Sequence, residues 1–409
     1  MRLVFINRFY WPETPATGQL LTDLAEELAR IGHDVSVITS HPGAPGLPAE
    51  ELRQAVHIYR HRGTRWSRAG LIGKAADFIS FHLGALWLLF RMARRDTTVI
   101  AMTDPPLLGI GVWLVAQWRR ARVIHWVQDI YPELAIELAG QGWLGILRPL
   151  RDLSWRRAAH CVTLGEDMAG ILASARVALE KRTIIPNWAP VGLTVQPRDN
   201  ASALRTRWGL LGKFVVAYSG NLGRVHDLEP VLAVADALRG DENIAFIFIG
   251  AGAQFETLTN EARRRGLPNV SFRPPQSRAE LAATLAMADL QLVTLRPGCE
   301  RLVFPSKLYG IAAVGRPMLF IGPANCEVAS LARQHGLGDA AERDDIPGIA
   351  EHVRRMQQDE REWARRAAAA ARFAEAHNFP SAASRWSQLL HSMVHSRPVS
   401  RTTTAPAAP

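Results

Sequence analysis

Two stretches of this chain bring together residue types suited to holding an anion. The first, Tyr218-Ser219-Gly220-Asn221-Leu222-Gly223-Arg224-Val225-His226, follows β-branched and aromatic residues that read as a buried strand. An apolar pattern at Leu228, Val231, Leu232 and Ala235 then reads as a helix. Gly220 and Gly223 permit a tight turn, and a helix starting behind it would turn unpaired N–H groups and the positive end of its dipole toward a phosphate. Arg224 and His226 add cationic donors, although a glycine turn before a helix is also ordinary α/β punctuation. The second stretch runs from Glu300 through Pro305-Ser306-Lys307-Leu308-Tyr309 to Gly315-Arg316-Pro317. A loop carboxylate followed by a cation at a helix start suits a ligand carrying both hydroxyls and phosphates, such as a nucleotide sugar. Glu300 reads either as a solvated loop carboxylate or as a ligand for ribose or sugar hydroxyls. Lys307 reads as a surface lysine or a diphosphate ligand, and the scarcity of lysine favours the second.

The elements that must position these residues alternate between strand and helix. Leu3 to Ile6 is an apolar strand, the loop Asn7 to Gly18 leads into a helix with Leu20, Leu21, Leu24 and Leu28 on one face, and Asp34 to Thr39 is a second strand. This is a βαβ unit, hence a parallel sheet with ligands expected at the carboxyl ends of its strands. Thr98 to Met102 and Ala121 to Val127 continue that sheet. The segment Thr183 to Pro190 breaks the pattern, and a second βα series follows with strands through Val215, Ala245 to Ile249, Val270 to Phe272, Leu290 to Val293 and Pro317 to Ile321. The expected fold is therefore α/β, with two doubly wound, Rossmann-like domains at 1–188 and 189–375. A helix over 376–395 packs on the body, and the Ser/Thr/Ala/Pro-rich segment 396–409 reads as disordered.

A chain of 409 residues suits two domains, and a 48% apolar content suits two cores. Its net charge is +10, but Lys74, Lys181, Lys213 and Lys307 are the only lysines, so the balance is an arginine bias and no nucleic-acid motif accompanies it. Cys161, Cys299 and Cys326 are scattered without CxxC spacing, which points to a reducing compartment and to neither zinc nor disulfides. The first residues enter a strand at once, so the protein reads as cytoplasmic.

Eight of the twelve tryptophans lie before residue 160. Its segment Ala75 to Phe90 is apolar, with Arg65, Arg68 and Lys74 before it and Arg91, Arg94 and Arg95 after. It is short for a bilayer span and contains Asp77 and His82, leaving a buried crossover helix or a helix lying on an anionic membrane. Pro105 to Arg120 and Trp143 to Arg157 repeat the apolar-then-basic theme.

Taken in order, the Tyr-Ser-Gly-Asn-Leu-Gly turn, Ile249-Gly250-Ala251-Gly252, Asn269-Val270-Ser271-Phe272 with Pro274, Ala288-Asp289-Leu290 and Pro305-Ser306-Lys307-Leu308-Tyr309 resemble the family 4 glycosyltransferases of the GT-B fold. The branch is the one acting in bacterial polysaccharide assembly, of colanic-acid and O-antigen type. Thr103-Asp104-Pro105-Pro106 and Gln128-Asp129-Ile130-Tyr131-Pro132-Glu133 look like the same branch. The resemblance implies retaining transfer of a sugar from a nucleotide-diphosphate donor, bound by the second domain, to an acceptor held by the first, with a membrane-borne polyprenyl-diphosphate glycan as the suited acceptor. It implies donor contacts at Gly220, Asn221, Gly223, His226, Gly250, Gly252, Pro274, Ser306 and Leu308. Charge on the leaving diphosphate would fall to Arg224, Lys307 and backbone N–H groups, with no cofactor or metal; no Asp-x-Asp occurs in the chain. Acceptor contacts would come from Glu13, Thr17, Gly18, Gln128 and Glu133, with Asp129 either capping a helix or activating the acceptor; Thr17 equally reads as a helix cap. His125 and His160 read as packed side chains.

Three positions depart from the family pattern. Its second loop glutamate falls on Gly310, leaving Glu300 as the acidic candidate; its phosphate-binding Arg and Lys fall on Asn221 and His226; and a first-domain histidine falls on Gln128. A nucleotide-sugar 2-epimerase and a noncatalytic nucleotide-sugar-binding subunit are the alternatives on this fold.

Overall fold

The computed structural model describes residues 1–66, 70–198 and 202–395; Arg68 and the tail 396–409 lie outside them. Two parallel sheets carry the chain. The first has eight strands: β1 (Arg2–Ile6), β2 (Asp34–Ser40), β3 (Glu50–Arg53), β4 (Val56–His61), β5 (Thr97–Met102), β6 (Arg122–Trp126), β7 (His160–Thr163) and β8 (Arg182–Ile184). Their order is β3-β4-β2-β1-β5-β6-β7-β8, antiparallel only between β3 and β4. The second sheet contains β9 (Phe214–Ser219), β10 (Ile244–Ile249), β11 (Val270–Arg273), β12 (Leu290–Thr294), β13 (Met318–Ile321) and β14 (Gly338–Ala341), in the order β11-β10-β9-β12-β13-β14.

Strands buried on both faces read as continuous apolar runs, and β1, β5, β9 and β10 do. Five short strands escaped the sequence reading. β3 is polar and β4 alternates at the sheet edge, β7 and β8 hold only four and three residues, and β14 is Gly-Asp-Ala-Ala. The strand β8 lies inside the segment read as a break.

Each sheet packs helices on both sides. One layer of the first sheet buries Leu3, Phe5, Leu21 and Leu24 against the last helix, Phe379–His395, through Trp386 and Leu390. Trp126 meets Trp386 edge to face at 5.0 Å and lies parallel to Trp188 at 6.1 Å. The chain therefore returns from the second sheet to finish on the first.

A further apolar cluster is shared by the two halves, joining Val127, Ile130, Leu134 and Met168 to Leu302, Leu308, Phe320 and Val328. Backbone pairing reinforces it. Asp129 forms an antiparallel bridge with Val303, and the Ile130 amide donates to Leu302 O at 2.8 Å. Two helices, Glu166–Ser174 and Glu327–Gln334, meet head to head across the same boundary: the Glu327 amide donates to Asp167 at 2.7 Å and the Asp167 amide to Glu327 at 3.3 Å.

Candidate active site

The glycine turn after β9 is built differently from the expected strand–turn–helix. The following helix, Glu229–Ala237, begins nine residues beyond Gly220 and carries Glu229 and Pro230 in its first turn. The nearby anion features are instead the turn itself and a lysine from another strand's connection. Gly220 has φ +131°, a region that L side chains rarely enter. Its amide donates to Ile249 O at 2.9 Å, Leu222 N to Ala251 O at 2.8 Å, and Gln254 Nε2 to the carbonyls of Gly223 and His226 at 2.6 and 2.9 Å. The turn is thus pinned by the loop after β10.

That loop has little freedom of its own. A Cβ on Gly250 would lie 1.9 Å from Gly220 O, and one on Gly252 would lie 2.6 Å from Leu222 O. Gly250 and Gly252 therefore seat the neighbouring turn through backbone contact on the side where a Cβ would stand.

Lys307 opens the helix Lys307–Ala313 and sends its ammonium back over the face of Tyr218, 3.5 Å from the ring centroid. Nζ is shielded from solvent and has no hydrogen-bond partner; a Cβ on Gly220 would sit 3.6 Å from it. Burial pushes its pKa well below that of a free lysine. The Tyr218 ring supplies cation–π attraction but no counter-charge. At the same strand ends Ser219 Oγ and Thr294 Oγ1 are also buried without partners, as is Glu300 Oε2 in the loop that follows β12. A cation and two hydroxyls left unsatisfied at the carboxyl ends of β9 and β12 form a polar cradle of the kind a ligand completes.

His226 does not serve as a cation here. Burial first, then the Lys307 charge, lower its pKa to about 3, and Nδ1 lies 2.8 Å from Thr294 O, which fixes a neutral ring with the proton on Nδ1. Arg224 and Asn221 are exposed on the turn, as a flexible donor and an amide. Gly223 lets the turn fold close to Asn221, with 2.9 Å from its Cβ position to Nδ2. Ser306 occupies the helix cap position without a side-chain cap bond, and the Leu308 side chain is buried in the core shared by the two halves. Pro274 is exposed at the end of edge strand β11, separated from the turn by β10.

Across the boundary, the carboxyl ends of β1, β5 and β6 carry Glu13, Asp104 and Asp129. Thr103 Oγ1 accepts the amides of Gln128 and Asp129 at 3.1 and 3.0 Å, which turns the chain after β6 beside Asp104. The Arg8 amide donates to Asp104 O at 2.8 Å. Burial, reinforced by the Asp104 charge, raises Asp129 to about 7; burial raises Asp104 to about 6 against the pull of Arg8; and burial raises Glu13 to about 7, again opposed by Arg8. Perturbed carboxyls gathered in one place are what acid–base or hydroxyl-binding chemistry requires.

Several of the expected acceptor residues are engaged within the protein. Gln128 is locked in a reciprocal amide pair with Asn187, 3.2 and 2.9 Å, inside the protein. Both Glu133 oxygens are held by Arg151 at 2.8 and 2.9 Å, and Arg148 adds a third contact at 3.1 Å. Gly18 brings the helix Ala16–Arg30 close to Phe9, 3.1 Å from its Cβ position, and Thr17 lies inside that helix behind Pro15, which holds the cap position. Asp129 caps no helix: Pro132 holds the cap position of Glu133–Ala139, with no side-chain cap bond.

Residues 17–188 match the Glycosyl transferase 4-like domain and residues 203–373 the Glycosyl transferases group 1 domain. The chain belongs to the family 4 glycosyltransferases. It is similar to WcaI of Escherichia coli K12, named as a colanic acid biosynthesis glycosyl transferase, with 29% identity over 373 residues covering 87% of this chain and 91% of WcaI. Its fold is similar to that of HepE from Anabaena in complex with UDP-glucose (TM-score 0.74, 14% identity, 96% and 100% of the two chains). WaaG, a glycosyltransferase involved in lipopolysaccharide biosynthesis, is similar in the same way (TM-score 0.70, 14% identity, 95% and 99%). These structural likenesses establish GT-B architecture.

In this glycosyltransferase the polar cradle adds residues that motif reading passed over. Ser219 and Thr294 carry no motif beyond a hydroxyl at a strand end, and Gln254 sits two residues past the second glycine pair, visible only once the loops are packed. Asp104 and Arg8 stood in quoted segments without a role. Their proximity to Asp129 and Glu13 follows from strand order alone, since β1, β5 and β6 are neighbours although far apart in sequence.

Proposed function

We propose that this glycosyltransferase transfers a sugar, with retention at the anomeric carbon, from a nucleotide-diphosphate donor to a lipid-linked glycan in bacterial polysaccharide biosynthesis. The observation that carries the donor site is the Lys307 ammonium, buried without a hydrogen-bond partner beside Gly220, whose missing side chain leaves it open. A diphosphate fits that opening and supplies the missing charge. As the sugar–phosphate bond breaks, negative charge builds on the diphosphate, and Lys307 with Arg224 stabilises it in the role a metal ion would otherwise take. Glu300 holds donor hydroxyls, and Asp129 with Asp104 and Glu13 receives the acceptor hydroxyl.

The polysaccharide role is supported by the likeness to WcaI along nearly its whole length, and the donor class by the nucleotide sugar held in the HepE structure. A polyprenyl-diphosphate acceptor places the enzyme in the cytoplasm, peripheral on the inner face of the membrane.

The test is a thermal-shift and hydrolysis screen against UDP-, GDP- and dTDP-sugars, with Lys307→Met and Glu300→Gln alongside. One donor class is expected to stabilise the protein, by about 2.7 kcal/mol at a hundredfold excess over Kd. Lys307→Met should lose that shift while melting higher than wild type without ligand, because a buried unpaired ammonium costs stability at every pH below the free lysine pKa. Binding of all donors by Lys307→Met as by wild type would remove the diphosphate from this cradle.

A further inference from the structure

The helix Gly70–Met92 is apolar on opposite faces. Its inner stripe of Phe81, Ala85 and Leu89 is buried on the sheet together with Val4 and Ile38. Its outer stripe of Ile79, Leu83 and Trp87, at spacings of four residues, is uncovered. A helix on the surface of a soluble domain turns a polar face outward, so the second stripe calls for a partner. The neighbouring helix Leu108–Arg119 packs beside it and adds Trp118, and the turn Gly142–Leu147, which leads into the helix Arg148–Arg157 packed on Leu108–Arg119, carries Trp143 and Ile146. These six side chains are each 57–79% exposed.

Cations frame the patch and touch its aromatic rings. The Arg91 guanidinium lies 4.7 Å from the Trp87 ring centroid and that of Arg119 5.0 Å from the Phe90 ring, while Phe90 meets Trp118 edge-on at 5.3 Å. Arg94, Arg95 and Arg120 stand exposed around the same helix ends. Tryptophan with arginine at its margin is the arrangement that headgroups and acyl chains receive together.

We infer that this three-element face rests in the interface of an anionic bilayer, with Gly70–Met92 lying along the membrane rather than crossing it. The partner follows from the membrane-borne acceptor proposed above. The orientation follows from the packing alone: Ala75–Met92 is long and apolar enough to span, but a span would strip Phe81, Ala85 and Leu89 from the core. A second copy would set these arginines against their own kind, whereas anionic headgroups complement them beside the apolar face.

The test floats the full chain with vesicles of phosphatidylglycerol and phosphatidylethanolamine, against phosphatidylcholine alone. Wild type should float with the anionic vesicles, less so as salt rises, and be released by alkaline carbonate. Combined Trp87→Ser, Trp118→Ser and Trp143→Ser should raise the lipid needed for half binding by about tenfold or more at an unchanged melting temperature. Combined Arg91→Gln, Arg94→Gln and Arg120→Gln should weaken binding to anionic vesicles only. Equal flotation of wild type and the tryptophan variant would overturn the inference. So would retention in carbonate, which means a span, or a lipid-free dimer that the tryptophan variant dissolves. The donor-induced melting shift, read on the same samples, fails or holds independently of flotation.

Discussion

Lys307 and Asp129 face the same energetic problem from opposite sides of the cleft. Each is ionisable, shielded from water and given no neutralising partner, so each resists its charged form. Such residues are expected where a ligand supplies the missing charge or hydrogen bond. For Asp129 the folded pKa of about 7 lies above that of a free aspartate. Proton binding therefore favours the folded state at acid pH, and that contribution is lost as pH rises through about 7. Asp129→Asn should accordingly melt higher than wild type at pH values above about 7 and differ little at pH values near 4 in calorimetry. If the carboxylate accepts the acceptor's hydroxyl proton or hydrogen bond, kcat/KM for transfer rises with pH through the same range. The asparagine variant should lose that rise yet keep donor hydrolysis. An unchanged pH profile in Asp129→Asn would leave Asp104 or Glu13 as the titrating group.

Among the elements, the two glycine loops work as a single part. The turn after β9 belongs to the proposed donor site, and the loop after β10 fixes its position through backbone bonds and through Gln254. Gly250→Ala forces a methyl toward Gly220 O and imposes a φ of +149° on an L side chain. The expected cost is about 1–3 kcal/mol in urea unfolding, together with weaker donor binding because the turn after β9 is displaced. Full donor affinity in that variant would mean that the turn holds its shape unaided. The reciprocal caps of Asp167 and Glu327 play a comparable part at the domain boundary, where each helix start satisfies the other. The Asp129–Val303 bridge does the same for the loops that carry Asp129 and Glu300. Acceptor-side and donor-side carboxylates are thereby held on paired stretches of backbone, three residues removed from one another on the second-domain side.

At the scale of the whole molecule, the C-terminal helix ties the halves together. Trp386 is fully buried against Trp126, with Trp188 of the connecting segment stacked on the same indole and bonded through Nε1 to Asp23 at 3.1 Å. Trp386→Ala should cost about 3–5 kcal/mol and release the last helix. Limited proteolysis would then cleave between the last two helices, near His377, before either sheet is attacked. Cleavage elsewhere first would show that the helix docks without this anchor. The apolar face of the first domain lies on the outside of the same sheet whose strand ends carry Asp104 and Asp129, so the proposed membrane attachment and acceptor capture fall to one domain and the proposed donor site to the other.

Composition and periodicity alone determined a two-sheet α/β chain, because runs such as Val215 to Tyr218 and Ala245 to Ile249 are apolar on both faces and fit only a covered parallel sheet. The motif order from Tyr218 to Pro317 carried the family. Lys307 and Glu300 were legible because lysine is rare here and the loop holds a single glutamate. What a string of residues could not decide was who meets whom. Glu133 and Gln128 look like free cleft groups until Arg148, Arg151 and Asn187 are folded onto them. His226 looks cationic until burial makes protonation costly, and the contact of Gly250 with Gly220 shows only once the loops are packed. The outer stripe of Gly70–Met92 has the same origin: hydropathy shows an apolar helix, and only packing shows which of its faces the protein leaves uncovered. In each case the deciding quantity is a contact between residues distant in sequence, which local pattern does not encode.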